Sequence, residues 1–137
     1  MSTFVDSSAF YAASDADDAS HTRMRAALAG ERDLVTTDHV LVETWLLIHG
    51  RSGGHFADLF WEAIRRGPAR VEQTTAADLE AAWRIGAAFP DQGFSIVDRT
   101  SFAVMERLGI SRVASLDAHF PFYRYGPRRE RAFEVVR

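Results

Sequence analysis

The chain contains no cysteine and no lysine. Without cysteine there is no disulfide, no thiolate zinc site and no thiol nucleophile. All 16 basic residues are arginine. That removes Schiff-base chemistry, a lysine general base and the phosphate-gripping lysine of a Walker A loop. Long apolar runs are missing too: the densest, "TWLLI", falls far short of the roughly 20 residues a membrane helix requires. The opening "MSTFVDSSAF" has neither a basic start nor a long apolar segment, so no secretory signal is read. A cytoplasmic protein with no membrane partner is expected. A net charge of -3 and a pI near 5.9 exclude a generally basic nucleic-acid coat protein. They leave room for one that meets phosphate through metal ions or a local patch.

What is present suits one domain spanning residues 1–137. Hydrophobic residues make up 47% and aromatics 12%, ample for a single core. "TFV" is a short strand, followed by helical "SAFYAA", the polar break "SDADDAS" and a helix over "HTRMRAALAG" closed by Gly30. "DLVTT" is a second strand. "DHVLVETWLLIHG" is a buried helix capped near Thr37 and ended at Gly50, and "RSGG" is a loop. "HFADLFWEAIRRG" carries apolar residues at helical spacing. "ARVEQT" is a third strand and "AADLEAAWRIGAAF" a helix. A further helix covers about Ser95 to Leu108, with Gly109 just past its end. "RVASL" and "FEVV" supply strands four and five. Short strands alternating with helices of ten or more residues predict parallel crossovers and an α/β sandwich with helices on both sheet faces.

Lone acids follow apolar runs at several places in this pattern. Asp6 and Asp117 end "TFV" and "VASL", where open parallel sheets collect ligands. Asp98 lies in the first turn of its helix, three residues after Ser95, the spacing of a capping box. Glu43 shares a helix face with Val40, Leu46 and Leu47, which predicts that it points toward the core. Asp6 and Asp117 also suit plain N-caps, but an unpaired carboxylate on an apolar face costs several kcal/mol, on the order of a buried-charge penalty. If the four converge, repulsion would protonate them unless cations intervene. Hard oxygen ligands without histidine or cysteine favour Mg²⁺ or Mn²⁺ over zinc. Ser8, Thr37 and Ser115 are candidate supports for such a site, and Arg99 is a local partner able to offset part of its charge.

The order "FVDSSAF", "TTDHVLVETWLLI", "FSIVDRTSFAVME" and "VASLDAHF" resembles the PIN-domain ribonucleases, and among them the VapC-type toxins of type II toxin–antitoxin pairs. The resemblance runs over essentially the whole chain. It implies a PIN-like three-layer α/β/α sandwich around a central, mostly parallel sheet of four to five short strands. It places the family's acidic tetrad on Asp6, Glu43, Asp98 and Asp117, with supporting hydroxyls on Ser8 and Ser115. The implied activity is Mg²⁺- or Mn²⁺-dependent endonucleolytic cleavage of RNA that inhibits translation. Asp6, Asp98 and Asp117 would be direct metal ligands, and Glu43 would act directly or through water. Implied partners are the RNA substrate, a second copy of the chain and a VapB-like antitoxin. The helices "SAFYAASDADDASHTRMRAALAG" and "HFADLFWEAIRRG" offer the antitoxin a groove. Arg99, directly after the third acid, departs from the alanine common there in the family.

Two other functions stay open at this level. One is a non-catalytic PIN-like scaffold that binds RNA or protein. The other is a metal-dependent phosphatase, although that class wants an acid where Ser8 stands and a lysine this chain lacks. A zinc hydrolase lacks its HExxH motif among His39, His49 and His55. His119, two residues after Asp117, reads as a turn residue at the pocket rim. Arg124, Arg128, Arg129 and Arg131 form the one dense basic segment, either a solvated surface or a set of contacts to RNA phosphate.

Overall fold

Five short strands form one sheet in the computed structural model, which describes residues 1–137. They are β1 (Ser2–Val5), β2 (Asp33–Thr37), β3 (Arg70–Glu72), β4 (Arg112–Ala114) and β5 (Glu134–Val136). Their order is β3-β2-β1-β4-β5, and every neighbouring pair is parallel. Thr3, Phe4 and Val5 are consecutive and all fully buried. Side chains alternate faces along a strand, so helices must cover both sides of β1. Those helices are α1 (Ser7–Ser14), α2 (His21–Ala29), α3 (Asp38–Ser52), α4 (Gly54–Arg65), α5 (Ala76–Ala88), α6 (Ile96–Leu108) and the single turn α7 (His119–Phe122). The result is the expected three-layer α/β/α sandwich.

The strand order fixes where a ligand can bind. From β1 the chain moves outward to β2 and β3, then returns to place β4 on the other side of β1. The direction of winding therefore reverses between β1 and β4, and a crevice opens there beyond the carboxyl ends of the strands. Val5 pairs with Ala114, and the Asp6 amide donates to the Ala114 carbonyl at 3.1 Å. Residues just past β1 and β4 thus face each other across that crevice.

Local signals explain most of the helix limits. Thr75 with Asp78 and Ser95 with Asp98 form complete capping boxes at the starts of α5 and α6. Gly109 ends α6 in the left-handed conformation at φ 69°, which only glycine adopts without a Cβ penalty. Gly50 does not end α3. The helix continues to Ser52 and breaks at Gly53, whose φ of 92° a side-chain-bearing residue would resist. Position decides this, because Gly50 is tolerated inside the turn whereas Gly53 makes the corner into α4. The turn α7 was not anticipated from the sequence; its Pro121 and short length hide any helical period.

Candidate active site

Four carboxylates reach the crevice from four different elements. Asp6 follows β1, Asp117 follows β4, Glu43 projects from α3 and Asp98 from the first turn of α6. Asp6 and Asp98 are only 2% and 6% exposed. Asp6 occupies the N-cap position of α1 but makes no side-chain capping bond. Its Oδ2 instead accepts from Ser8 at 2.8 Å and from Ser115 at 3.0 Å. The two serine hydroxyls lie 3.2 Å apart. Ser8 also accepts from the Leu116 amide, and Ser115 from the Asp117 amide. Two serines separated by over a hundred residues therefore tie the ends of β1 and β4 together around one acid.

Each acid has one oxygen held by a neighbouring donor. On Asp98, Oδ2 accepts from the Ser95 amide at 3.0 Å and faces His119 Nδ1 at 2.7 Å. On Asp117, Oδ1 accepts from the His119 amide at 2.8 Å. On Glu43, Oε1 accepts from the Ser7 hydroxyl. Asp6 Oδ1, Glu43 Oε2, Asp98 Oδ1 and Asp117 Oδ2 accept no such bond, the Ser7 amide beside Asp6 being the one further polar group there. Carboxylates oriented by such donors are the usual ligands of a hard cation.

The electrostatics agree. Burial pushes the Asp6 carboxyl up to about 6, against the pull of Ser8, Ser115 and the Ser7 amide, and the charge of Asp98 adds to the rise. Glu43 is raised as well, first by burial and then by the charges of Asp98 and Asp117, while the Ser7 hydrogen bond opposes them. No arginine lies within ion-pair reach of any of the four; the one basic side chain there is His119. Burial lowers the basicity of His119, but its hydrogen bond to Asp98 and the charges of Asp117, Asp98 and Asp6 more than reverse this.

Sequence reasoning placed several residues differently from where they lie. His119 is part of the cluster, not its rim: Asp98, Asp117 and His119 bring donor atoms within 4.8 Å of one another. Its ring stands edge-on to Phe94 at 5.2 Å, so packing fixes its orientation. The spacing Asp117-x-His119 was the available signal. Arg99 turns away from the acids and donates to the Phe94 carbonyl at 2.9 Å. Its guanidinium occupies the space a Cβ on Gly86 would need, 2.3 Å away. Arg99 therefore locks α6 against α5 and offsets none of the site's charge. Thr37 spends its hydroxyl capping α3 through the Val40 amide at 3.1 Å and makes no bond to the four acids. Glu43 is half-buried at the edge of its helix face. Leu46, expected beside it in the core, is 59% exposed because the α3–α4 packing turns that stripe outward.

Comparison with known proteins follows the geometry. The PIN domain family profile matches residues 3–126. The 23S rRNA-specific endonuclease VapC20 of Mycobacterium tuberculosis is similar in sequence in two strains, CDC 1551 / Oshkosh and ATCC 25618 / H37Rv. Each is 40% identical over 119 residues, which covers 85% of this chain and 90% of that protein. A crystal structure of VapC20 from the same species, described as a sarcin–ricin loop cleaving toxin, superposes with a TM-score of 0.80. Its identity is 34%, covering 84% of this chain and 89% of that one.

Proposed function

The chain belongs to the PIN-domain family, and from that premise we propose that it is a metal-dependent endoribonuclease acting as the toxin of a toxin–antitoxin pair. The observation that carries the reading is the set of four carboxylates converging at the β1/β4 crevice. Each is anchored through one oxygen, and no arginine neutralises them. The donor set is oxygen-rich with one imidazole beside it, which fits Mg²⁺ or Mn²⁺. Asp6, Asp98 and Asp117 would hold the metal, with Glu43 as a direct or water-bridged neighbour. A bound divalent ion supplies Lewis acidity toward a phosphodiester and lowers the pKa of water.

The chain's own residues do the rest. Ser8 and Ser115 fix Asp6, and the Ser95 amide and His119 fix Asp98, so these carboxylates need no reorientation on loading. Glu43, raised by burial and its acidic neighbours, is suited to accept a proton from water at Oε2. We infer that ribosomal RNA, in particular the sarcin–ricin loop of 23S rRNA named for the relatives, is the target, an activity that would be exercised in the cytoplasm. No helix is long and apolar enough to cross a membrane.

Expected partners also find surfaces. A groove of about 510 Å³ between the end of α1 and the α3–α4 hairpin is lined by Tyr11, Ile48, Phe56, Leu59 and Phe60, with Asp15 and Asp17 on its rim. Its shape and charge suit an apolar antitoxin segment flanked by basic residues. Leu41, Val42, Trp45, Leu46 and Trp61 form a separate, wholly apolar face, which suits a second copy of the chain. The deciding experiment maps RNA ends across the transcriptome after induction, comparing the wild type with Asp6→Asn. New ends in the sarcin–ricin loop that vanish in the variant support the reading. Identical end profiles in the two strains refute it.

A further inference from the structure

Ten of the 16 arginines make no ion pair. Three of those ten, Arg84, Arg124 and Arg129, line one cleft of about 280 Å³ between α5 and the segment after α7. Phe89, Tyr123 and Tyr125 share its walls. The single acid among its lining residues, Glu106, accepts from the Tyr123 hydroxyl at 2.7 Å and forms no ion pair, so three guanidinium groups share the cleft with one carboxylate. Arg124 is steadied by the Pro121 and Tyr123 carbonyls, its Nη1 lying 2.5 and 3.1 Å from them. Arg129 lies over the Phe89 ring at 5.2 Å. It is also the one residue other than glycine with positive φ, 51°, a backbone conformation side-chain-bearing residues avoid.

The cleft adjoins the acidic crevice. Phe94 stands edge-on to His119 at 5.2 Å and to Tyr123 at 6.1 Å, so a single ring separates the two. Arg124 follows His119 by five residues, at most about 18 Å of chain even if fully extended.

We propose that this cleft is a second RNA subsite, one that grips the phosphate backbone a few nucleotides from the cleavage point. The inference rests on the ribonuclease reading above. RNA is the occupant because planar guanidinium groups match phosphate in paired hydrogen bonds and aromatic walls offer stacking faces to bases. Arg84 on α5 could not be associated with this segment from the sequence. Arg128 does not line the cleft; its amide donates to Glu130 at 2.9 Å. Arg131 pairs with Glu130 at 4.0 Å. The basic cluster of the sequence thus divides into a cleft-lining part and a remainder.

The test uses the full chain and a fluorescent sarcin–ricin hairpin. Binding is followed by anisotropy in EDTA from 50 to 200 mM salt, and cleavage is followed separately with Mn²⁺. Each single-strand phosphate contact contributes about 0.7 to the log–log salt slope. Arg84→Gln/Arg129→Gln should therefore bind more weakly with a slope shallower by about 1.4, and show a raised KM with kcat little changed. The control, Arg23→Gln/Arg25→Gln on α2, removes equal charge and should leave the slope alone. Arg84→Gln by itself, at an exposed helix position, should show half the slope change without risk to the fold. An unchanged slope in the cleft variants, or an equal loss in the control, overturns the proposal. So does an unchanged RNA slope with weakened binding to polyglutamate, which would make the cleft a site for an acidic protein. A shallower slope in a protein that never cleaves would sustain the cleft and sink the nuclease reading. Cleavage with an unaltered slope would do the reverse.

Discussion

Both edges of the central sheet carry clusters of carboxylates, and they are resolved in opposite ways. At the edge where the strands begin, Glu31, Asp33 and Glu134 meet Arg112 and Arg70. Arg112 Nη2 lies 2.7 Å from Glu31 and its Nη1 pairs with Glu134, while Arg70 reaches Asp33 at 3.3 Å. Glu31 is held below the usual carboxylate range, first by its hydrogen bond from Arg112 and then by Thr3. Asp33 is lowered by the Ser2 hydroxyl, with Arg70 assisting. In the crevice where β1 and β4 end, Asp6 and Glu43 are raised and no arginine pairs with any of the four acids. The protein neutralises one acidic cluster with its own arginines and leaves the other without one. The chain has arginines to spare, and the turn of Arg99 away from the crevice accords with the cation site proposed there.

The largest response to metal should be lost in Asp98→Asn. Asparagine keeps an acceptor for the Ser95 amide, so α6 should still start where it does. Mn²⁺-dependent RNA cleavage should fall by at least about 10²–10³-fold, the scale of removing one preorganised charge-stabilising group, with an unchanged circular dichroism spectrum. Full activity in this variant would mean that Asp98 is only a cap.

Asp6 tests the same contrast through pH. Its folded value near 6 exceeds the unfolded value of 3.8, so the folded state binds more protons between them. Stability of the metal-free protein is therefore lost as pH rises from about 4 through 6. Asp6→Asn should remove that loss. At pH 7 without metal it should be more stable than the wild type by on the order of 3 kcal/mol, two pKa units at about 1.4 kcal/mol each, and the gap should close below pH 4. Denaturant melts at both pH values in EDTA decide it, and a wild type as stable at pH 7 as the variant would show that the carboxylate is already compensated.

How legible this was from the sequence depends on the range of the interaction. Asp6, Asp98 and Asp117 each sit beside a local signal, a strand end or a capping box, so their positions relative to the sheet could be read. The capping box of Asp98 proved compatible with its place in the crevice, because its Oδ2 serves Ser95 and its Oδ1 accepts no such bond. What could not be read was set by side-chain direction over long separations. Arg99 follows Asp98 yet packs on Gly86. Arg84 and Arg129 meet only because α5 lies beside the segment after α7. Leu46 has the helical spacing of a core residue but sits on an exposed apolar face. His119 was read as a rim residue because a single turn carries no periodicity to show which way it faces.

A smaller metal effect belongs to the residues that hold the acids in place. His119→Ala and Ser115→Ala remove donors to Asp98 and Asp6 without removing a carboxylate. Mn²⁺ binding measured by calorimetry should weaken by about 10–100-fold in each, as for other groups that orient metal ligands. Unchanged affinity in both would show that the acids hold their orientation unaided.

The smallest change in metal response is expected at the other edge. Arg112→Gln leaves Glu31, just before β2, and Glu134, at the start of β5, on either side of β4 without their shared cation. The variant should melt at a lower temperature than the wild type, by the same margin with and without Mn²⁺, because no part of that cluster touches the crevice. Cleavage per folded molecule should stay at the wild-type rate. Raising the salt should narrow the difference, since the Glu134 side of the network is open to solvent and is screened there. If Mn²⁺ instead restored the melting temperature of this variant, the beginning edge would itself bind cations, and the contrast between a self-neutralised edge and a cation-requiring one would fail.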